Sequence, residues 1–241
     1  MTAALLQPAP PYASLQAITG GENLMILVPT PGDESVWCGG LIAESCRRGR
    51  PPFVMVLGDG TSSHPRSAAY PPDRLANLHD RETRAAVACL GLPHERLLMA
   101  GVYDGSIPAA GPGFDAVVRA VTLVMWARDC NVVCAPWPGA GQDAGNDARD
   151  DAGWRSTFGI AAAVARGSGV GLLAYAAGDV PADEGWRLDI TAQLGPKRAA
   201  VAAHASQLGQ VVADEPAPRL FDMEAAACIR SYEVLLRPAA G

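Results

Sequence analysis

Long apolar runs and clusters of basic residues are both scarce in this sequence of 241 residues. No apolar run reaches the roughly 20 residues that a membrane-spanning helix needs, so we expect no membrane span. The net charge is −6, and the densest basic cluster is the short piece at residues 47–50. We therefore expect no nucleic-acid partner. Residues 1–14 lack a basic start followed by an apolar core, so we also expect no signal peptide.

The cysteines of the chain do not follow a spacing typical of metal sites or disulfide frameworks. Six cysteines are scattered along the chain, mostly within apolar stretches. The pair Cys130 and Cys134 has no second ligand pair nearby, which argues against a structural zinc there. The pattern predicts reduced, buried thiols in a cytoplasmic protein.

What the chain does contain is an alternation of short β-rich runs and longer helical patterns. This alternation predicts a Rossmann-like α/β fold, a three-layer sandwich with a mostly parallel sheet. We divide the chain into an N-terminal arm, residues 1–20, and a single domain, residues 21–241. Three prolines among residues 8–11 make the arm look loose.

The predicted strands are 23–28, 53–57, 97–101, 131–135, 171–176 and 232–236. The predicted helices are 35–48, 74–90, 114–127, 157–166 and 196–208, with one more short helix after residue 220. The segment 136–153 is rich in Gly, Asp and Ala and has no periodicity, so it is predicted to be a long loop. Ligands of open parallel sheets bind at the carboxyl ends of the strands. We therefore expect the loops 29–34, 58–65, 101–106 and 136–153 to share one rim.

The loop after the first strand carries a recognisable motif. Residues 28–34 read Val28-Pro29-Thr30-Pro31-Gly32-Asp33-Glu34, which is similar to the Ala-His-Pro-Asp-Asp-Glu loop of the LmbE-like, or PIG-L, N-deacetylases. The resemblance extends from about Gly20 to Leu236. Further similar segments follow in the family's order and spacing: Gly58–Pro65, Ser67–Leu75, Arg81–Ala86, Tyr103-Asp104-Gly105 and Lys197–Gln207.

The resemblance implies the LmbE-like deacetylase fold and an ancestry in zinc-dependent removal of acyl groups from amino-sugar conjugates. In that family the first loop supplies a zinc-ligand His, a general-base Asp and a zinc-ligand Asp. A His-x-x-His pattern after the fourth strand completes the site. Zinc with three protein ligands activates a bound water, and a carboxylate collects its proton.

Carried over to this chain, most of that machinery is missing. Thr30 replaces the ligand histidine, and Gly32 replaces the base. Only Asp33 matches a ligand position. The four histidines are His64, His79, His94 and His204, and none lies after the fourth strand where His-x-x-His belongs. We therefore predict that zinc is lost and that no cofactor replaces it.

Four residues are predicted to contact a substrate or ligand: Thr30, Glu34, His79 and His204. Each candidate also has a plainer interpretation. Asp33 is interpreted as the N-cap of the following helix, and His204 as a packed or surface helix residue. The aspartates of 143–151 fit a solvated acidic loop better than a Ca²⁺ or Mg²⁺ site.

Three nucleophile or phosphate-loop motifs have similar alternatives. His64 pairs with Ser62 or Ser63 only if an acid is positioned behind it; otherwise it is a loop histidine. Cys38 at a helix start is either an activated thiol or, as we favour, a buried small apolar residue. The pair Gly39-Gly40 resembles a phosphate loop but is more typical of close helix–strand packing.

These observations leave three alternative hypotheses for the function. The first is a diverged family member without zinc-dependent deacetylation, retained to bind a ligand or partner. The second is an active hydrolase with rearranged acidic ligands, Asp33 with Asp147 or Asp150. The third is a metal-independent enzyme that reuses the sugar pocket. In each case we expect a small glycosylated or N-acyl molecule as ligand, and either a homo-oligomer or a complex with another protein as the assembly.

Overall fold

The computed structural model describes residues 9–139, 148–177, 180, 185–216 and 230–238. The strands are β1 Leu24–Val28, β2 Phe53–Gly58, β3 Leu97–Val102, β4 Val132–Pro136, β5 Gly171–Ala176, β6 Gly185–Asp189 and β7 Tyr232–Leu236. The helices are α1 Leu15–Thr19, α2 Asp33–Val36, α3 Gly39–Arg47, α4 Pro72–Cys89, α5 Gly111–Ala127, α6 Ala148–Ser168 and α7 Leu194–Ala203. No helix in these ranges is long and apolar enough to cross a membrane.

One sheet contains all seven of these strands, in the order β3-β2-β1-β4-β5-β7-β6. The first five strands in this order are parallel to one another, whereas β7 runs antiparallel to both β5 and β6. The predicted Rossmann-like, mostly parallel sheet is confirmed. The sequence patterns missed β6, whose five residues alternate in burial only irregularly.

The core lies on both faces of the sheet. All five residues of β1 are buried, as expected for a strand covered on both sides. Because side chains alternate along a strand, Ile26 packs into the cluster that includes Leu41 of α3 and Val87 of α4. Leu27 packs into the opposite cluster, with α5 and α6. The two clusters lie between the central sheet and the helices on each face, which gives three layers: helices, sheet and helices.

The arm before β1 is not loose within the described residues. Leu15 and Ile18 of α1 are buried in the core. Tyr12 forms a β-bridge with Arg187 of β6, and Nε of Arg187 donates to the carbonyl oxygen of Pro10 at 2.7 Å. The proline-rich sequence therefore docks as an extended segment on the sheet, where proline's missing N–H is tolerated at an edge.

The helix predicted at 35–48 is two helices. α2 ends at Val36 and α3 begins at Gly39. The glycine pair lies at the start of α3 in close contact with other elements: a Cβ added at Gly40 would lie 2.5 Å from Cγ2 of Ile190. The packing interpretation of the pair is confirmed, although its partner is the segment after β6 rather than a strand.

The other helix boundaries differ from the predictions by a few residues, and two differ by more. α6 begins at Ala148 rather than 157, so the predicted loop 136–153 is helical over its last residues. α7 ends at Ala203, with His204 as its C-cap, rather than at 208. Alanine-rich, glycine-containing sequence has weak periodicity, which is why both ends were misjudged. The short helix predicted after residue 220 lies outside the described residues.

The loops that follow β1, β2 and β3 meet at one edge of the sheet. The N–H of Gly58 donates to the carbonyl oxygen of Pro29 at 2.7 Å, and that of Asp59 donates to Val102 at 2.9 Å. A side chain at Gly58 would bring its Cβ within 2.6 Å of the Pro29 oxygen. Three of the four loops expected at the rim therefore meet, while the fourth, 136–153, lies partly outside the described residues.

Candidate functional site

The first loop turns sharply at Gly32. This residue has φ 103° and is the N-cap of α2, and Asp33 is the first helical residue. The interpretation of Asp33 as the N-cap is therefore wrong, because the helix starts two residues earlier than predicted. Glycine occupies this left-handed backbone region readily, whereas side chains oppose it.

Asp33 is tied back to the loop. Its Oδ2 accepts a hydrogen bond from Oγ1 of Thr30 at 2.8 Å and a longer one from the Thr30 N–H at 3.3 Å. Both side chains are half-buried. Thr30, predicted from the sequence to replace the family's histidine, therefore donates a hydrogen bond to the carboxylate of Asp33, the residue predicted to match the family's aspartate ligand.

Glu34 points the other way, into the protein. It is fully buried, and its Oε1 accepts hydrogen bonds from Oγ of Ser35 and Nε2 of His204, each at 2.8 Å. Its Oε2 accepts from the N–H of Gly32 at 2.8 Å. Burial alone would raise the pKa of Glu34, but attraction to His204 and these hydrogen bonds hold the pKa below its usual range.

His204 connects the late helix α7 to the first loop. Its ring is fully buried, and nearby Nε2 of Gln207 donates to the carbonyl oxygen of Pro31 at 2.9 Å. Glu82 of α4 holds the same segment by accepting from the N–H and the hydroxyl of Ser206. The packed alternative for His204 fits this position, and its predicted ligand contact stays a prediction.

The second loop is organised by two aspartates. Oδ1 of Asp59 accepts from the N–H and hydroxyl of Thr61, at 3.0 and 2.7 Å, and from the N–H of Asp104 at 3.0 Å. Oδ2 of Asp104 accepts from the N–H and hydroxyl of Ser62. These bonds join the loop after β2 to the loop after β3.

His79 of α4 lies beneath the second loop. It is fully buried, and its Nδ1 is 3.4 Å from the carbonyl oxygen of Asp59. Gly60 passes over the ring so closely that a Cβ there would lie 2.4 Å from Nδ1. Burial lowers the pKa of His79 to about 4, so the ring is neutral at pH 7. Its predicted ligand contact also stays a prediction.

Ser63 lies between two imidazoles. Its Oγ is 3.0 Å from Nδ1 of His64 and 3.5 Å from Nε2 of His79. Of the two serines considered for a pair with His64, the structure thus selects Ser63, because Ser62 is bonded to Asp104. The sequence offered no signal that His79, sixteen residues away, would join them.

An aromatic cluster borders the first loop, and sequence reasoning missed it. Trp154 of α6 packs edge-to-face against Trp37, with ring centroids 5.9 Å apart, and against Tyr175 of β5 at 5.7 Å. The Tyr175 hydroxyl donates to the carbonyl oxygen of Leu27 at 3.3 Å. Burial raises the pKa of Tyr175, and the nearby Cys38 and Asp33 raise it further.

Comparison with protein families identifies the chain. The family model described as PIG-L, GlcNAc-PI de-N-acetylase, matches residues 25–146, just over half of the chain. The protein belongs to the PIG-L family. No curated protein sequence matches the chain.

Several solved structures share the fold of this protein. An N,N'-diacetylchitobiose deacetylase from Pyrococcus horikoshii superposes with a TM-score of 0.66 at 18% identity, covering 83% of this chain and 75% of its own. A conserved protein from Thermus thermophilus gives 0.64 at 20%, covering 91% and 96%. The 4-carboxy-2-hydroxymuconate hydratase of Pseudomonas putida gives 0.63 at 15%, covering 89% and 95%. At these identities the likeness establishes the fold.

The described residues do not fit the zinc of the PIG-L family. In the described part of the chain, no three His, Cys, Asp or Glu side chains come together in a group that could hold a metal ion. At the family's position the donors are Thr30 and Asp33, already hydrogen-bonded to each other, and a neutral hydroxyl is a poor zinc ligand. Asp143 and Asp147 lie outside the described residues, as does the side chain of Asp150.

Proposed function

We propose that this PIG-L protein does not deacetylate through zinc and instead binds a small glycosylated or N-acyl molecule at the rim by Thr30 and Asp33. The observation that carries the proposal is the backbone of Gly32. Its φ of 103° belongs to a conformation that glycine adopts without strain and other residues avoid. The position of the family's general base thus has a backbone shaped around the absence of a side chain.

The hydrogen bonds around Gly32 support a first loop whose conformation does not accommodate a catalytic aspartate at position 32. The N–H of Gly32 is bonded to Oε2 of Glu34, and the Thr30 hydroxyl is bonded to Oδ2 of Asp33. An aspartate at position 32 would have to adopt a strained conformation, at a cost of roughly 1–3 kcal/mol, or displace the Glu34 bond. The observed conformation of the first loop therefore favours glycine over aspartate at position 32.

A binding role is supported by the walls of the rim. Trp37 follows directly after the first loop and packs against the half-buried Trp154. The loop after β3, bonded to the second loop through Ser62, carries the Asp104 carboxylate and the exposed Tyr103. Apolar walls with a few placed polar groups are typical of small-molecule sites. The hydratase with the same fold also indicates that the fold accommodates more than one reaction.

Metal analysis and ligand binding test the proposal together. Purified protein dialysed against zinc should retain less than one equivalent and should not hydrolyse an N-acetylglucosaminide. N-acetylglucosamine conjugates should raise the melting temperature of the wild-type protein but not of Asp33→Asn. The matched control is Asp115→Asn, which changes an exposed aspartate on α5 and should behave as wild type. Tightly bound stoichiometric zinc, with hydrolysis abolished by Asp33→Asn, would overturn the proposal.

A further inference from the structure

The loop between β2 and α4 holds a serine whose hydroxyl faces two histidine rings. Ser63 is half-buried, whereas His64 is 2% exposed and His79 is fully buried. The hydroxyl has one ring nitrogen at 3.0 Å and a second at 3.5 Å. The first distance is a normal hydrogen bond, and the second is the longer nucleophile–base separation often found in acyl-transfer enzymes without substrate. Of the three residues, only Ser63 is partly exposed, and the two histidine rings lie deeper in the protein.

The direction of the hydrogen bonds follows from the surroundings of each ring. Nδ1 of His79 faces the carbonyl oxygen of Asp59, so this nitrogen carries the proton. Nε2 of His79 is then an acceptor, directed at the Ser63 hydroxyl. This is the arrangement that lets an imidazole take a proton from a serine.

His64 completes the chain from the other side. Among the described residues, Nε2 of His64 is a buried nitrogen with no hydrogen-bond partner. A buried N–H without a partner is rare, so the proton belongs on Nδ1, which donates to Oγ of Ser63. The order is therefore His64 N–H to Ser63 O–H to His79, ending at the Asp59 carbonyl.

The acidic groups near these rings are bonded to other partners. His64 is in the electrostatic field of Glu215, Asp214 and Glu82. Glu215 pairs with Arg66, Asp214 binds the Ser67 hydroxyl, and Glu82 binds Ser206. The orienting acceptor behind His79 is therefore the Asp59 carbonyl, while the charge of Asp59 also favours a protonated ring.

We infer that Ser63 is the nucleophile, and His79 the general base, of a metal-independent site that cleaves small esters or activated amides. Oγ of Ser63 bonds to the carbonyl carbon while its proton passes to Nε2 of His79. The bond from that carbon to the leaving oxygen or nitrogen breaks, and the proton moves from His79 to the leaving group. Water then releases the acyl group as a carboxylic acid and restores the Ser63 hydroxyl.

This activity is separate from the proposed binding function. It uses the second loop rather than Thr30 and Asp33, and it involves no metal ligand. The protein could bind an N-acyl molecule at the first loop whether or not Ser63 reacts. Zinc content bears only on the proposed function, and a covalent adduct bears only on this inference.

Covalent labelling tests the inference on the wild-type chain. Protein treated with chelator is incubated with phenylmethylsulfonyl fluoride or p-nitrophenyl acetate, and the adduct is mapped by peptide mass spectrometry. We expect one adduct, on Ser63, with a burst of p-nitrophenol close to one equivalent. An unmodified Ser63 in folded protein, or an adduct on a different serine instead, would overturn the assignment.

Three variants separate chemistry from structure. Ser63→Ala should abolish labelling, and His79→Gln should slow it by roughly 10²- to 10⁴-fold, the usual contribution of a general base. Ser106→Ala, an exposed serine of the next loop, should label at the wild-type rate. Thermal unfolding of each variant shows whether it is folded. Equal labelling rates in folded His79→Gln and wild type would remove His79 from the role of base.

Discussion

The first and second loops of the rim differ in how their polar side chains are hydrogen-bonded. In the first loop, residues 29–34, the polar side chains are bonded to one another or turned inward, as Thr30 is to Asp33 and Glu34 to His204. In the second loop, residues 59–64, a hydroxyl remains at the border of the interior beside two imidazole rings. Two neighbouring loops of one rim thus differ, one with its polar groups bonded to each other and one with a hydroxyl beside two ring nitrogens, and this difference is the basis of the two proposals above.

The largest expected effect concerns the inward side of the first loop. Glu34→Ala would leave His204 buried without its carboxylate and the N–H of Gly32 without its acceptor. Removing one partner of a buried pair costs roughly 3–5 kcal/mol, which urea unfolding would measure. Glu95→Ala, which removes the exposed partner of His94, should cost less than about 1 kcal/mol. Equal losses in the two variants would mean that the first loop is not held by Glu34.

The second loop should respond to acid through His79. Burial lowers its pKa from 6.5 to about 4. Between these two pH values His79 is therefore protonated in the unfolded chain and neutral in the folded chain. Stability should be complete above pH 6.5 and fall towards pH 4, by about 1.4 kcal/mol per unit at most. His79→Gln should flatten this part of the curve of unfolding free energy against pH. An unchanged slope would show that the ring is accessible to protons in the folded state.

The turn of the first loop should be intolerant of any side chain. Gly32→Ala is expected to destabilise the protein by roughly 1–3 kcal/mol, because φ at this position is 103°. Gly167→Ala offers the matched control: the residue lies in α6, is exposed, and has nothing within 4 Å of an added Cβ. There alanine should stabilise, by up to about 1 kcal/mol. A neutral Gly32→Ala would remove the main support for a reshaped loop.

The smallest effect is expected from the outward side of the first loop. Thr30→Val removes the hydroxyl that donates to Asp33 and keeps the shape of the side chain. Since both residues are half-buried, we expect a loss of about 0.5–1.5 kcal/mol, and Thr30→Ser should restore most of it. Thermal melts of the three proteins would show whether this bond stabilises the loop.

Local patterns predicted the framework well. The five residues of β1 form an apolar run bounded by turn residues, and the structure buries all of them. β6 was missed because its sequence combines Gly185 and Arg187 with weak alternation, and the partner strand β7 comes from a distant part of the chain. The break between α2 and α3, at Trp37 and Cys38, was also missed.

The motif of the first loop was found from the sequence, but the contacts of its residues were not. Thr30 and Gly32 were identified as altered positions, and Asp33 as the matching one, from the sequence alone, because a motif is a local pattern. Asp33 as an N-cap was wrong, since the start of a helix is decided by packing as well as by propensity. The cluster of Trp37, Trp154 and Tyr175 joins three elements that no local pattern connects.

By itself, the sequence determined the fold class and the family, and it predicted that the first loop lacks the family's histidine and base. These are properties of residue type and local order, which periodicity and motif spacing carry. Only the tertiary structure decided that Glu34 turns inward to His204, 170 positions away, and that His79 lies behind Ser63. Such pairings depend on which helices cover which strands, and they are fixed by burial of the core rather than by neighbours along the chain.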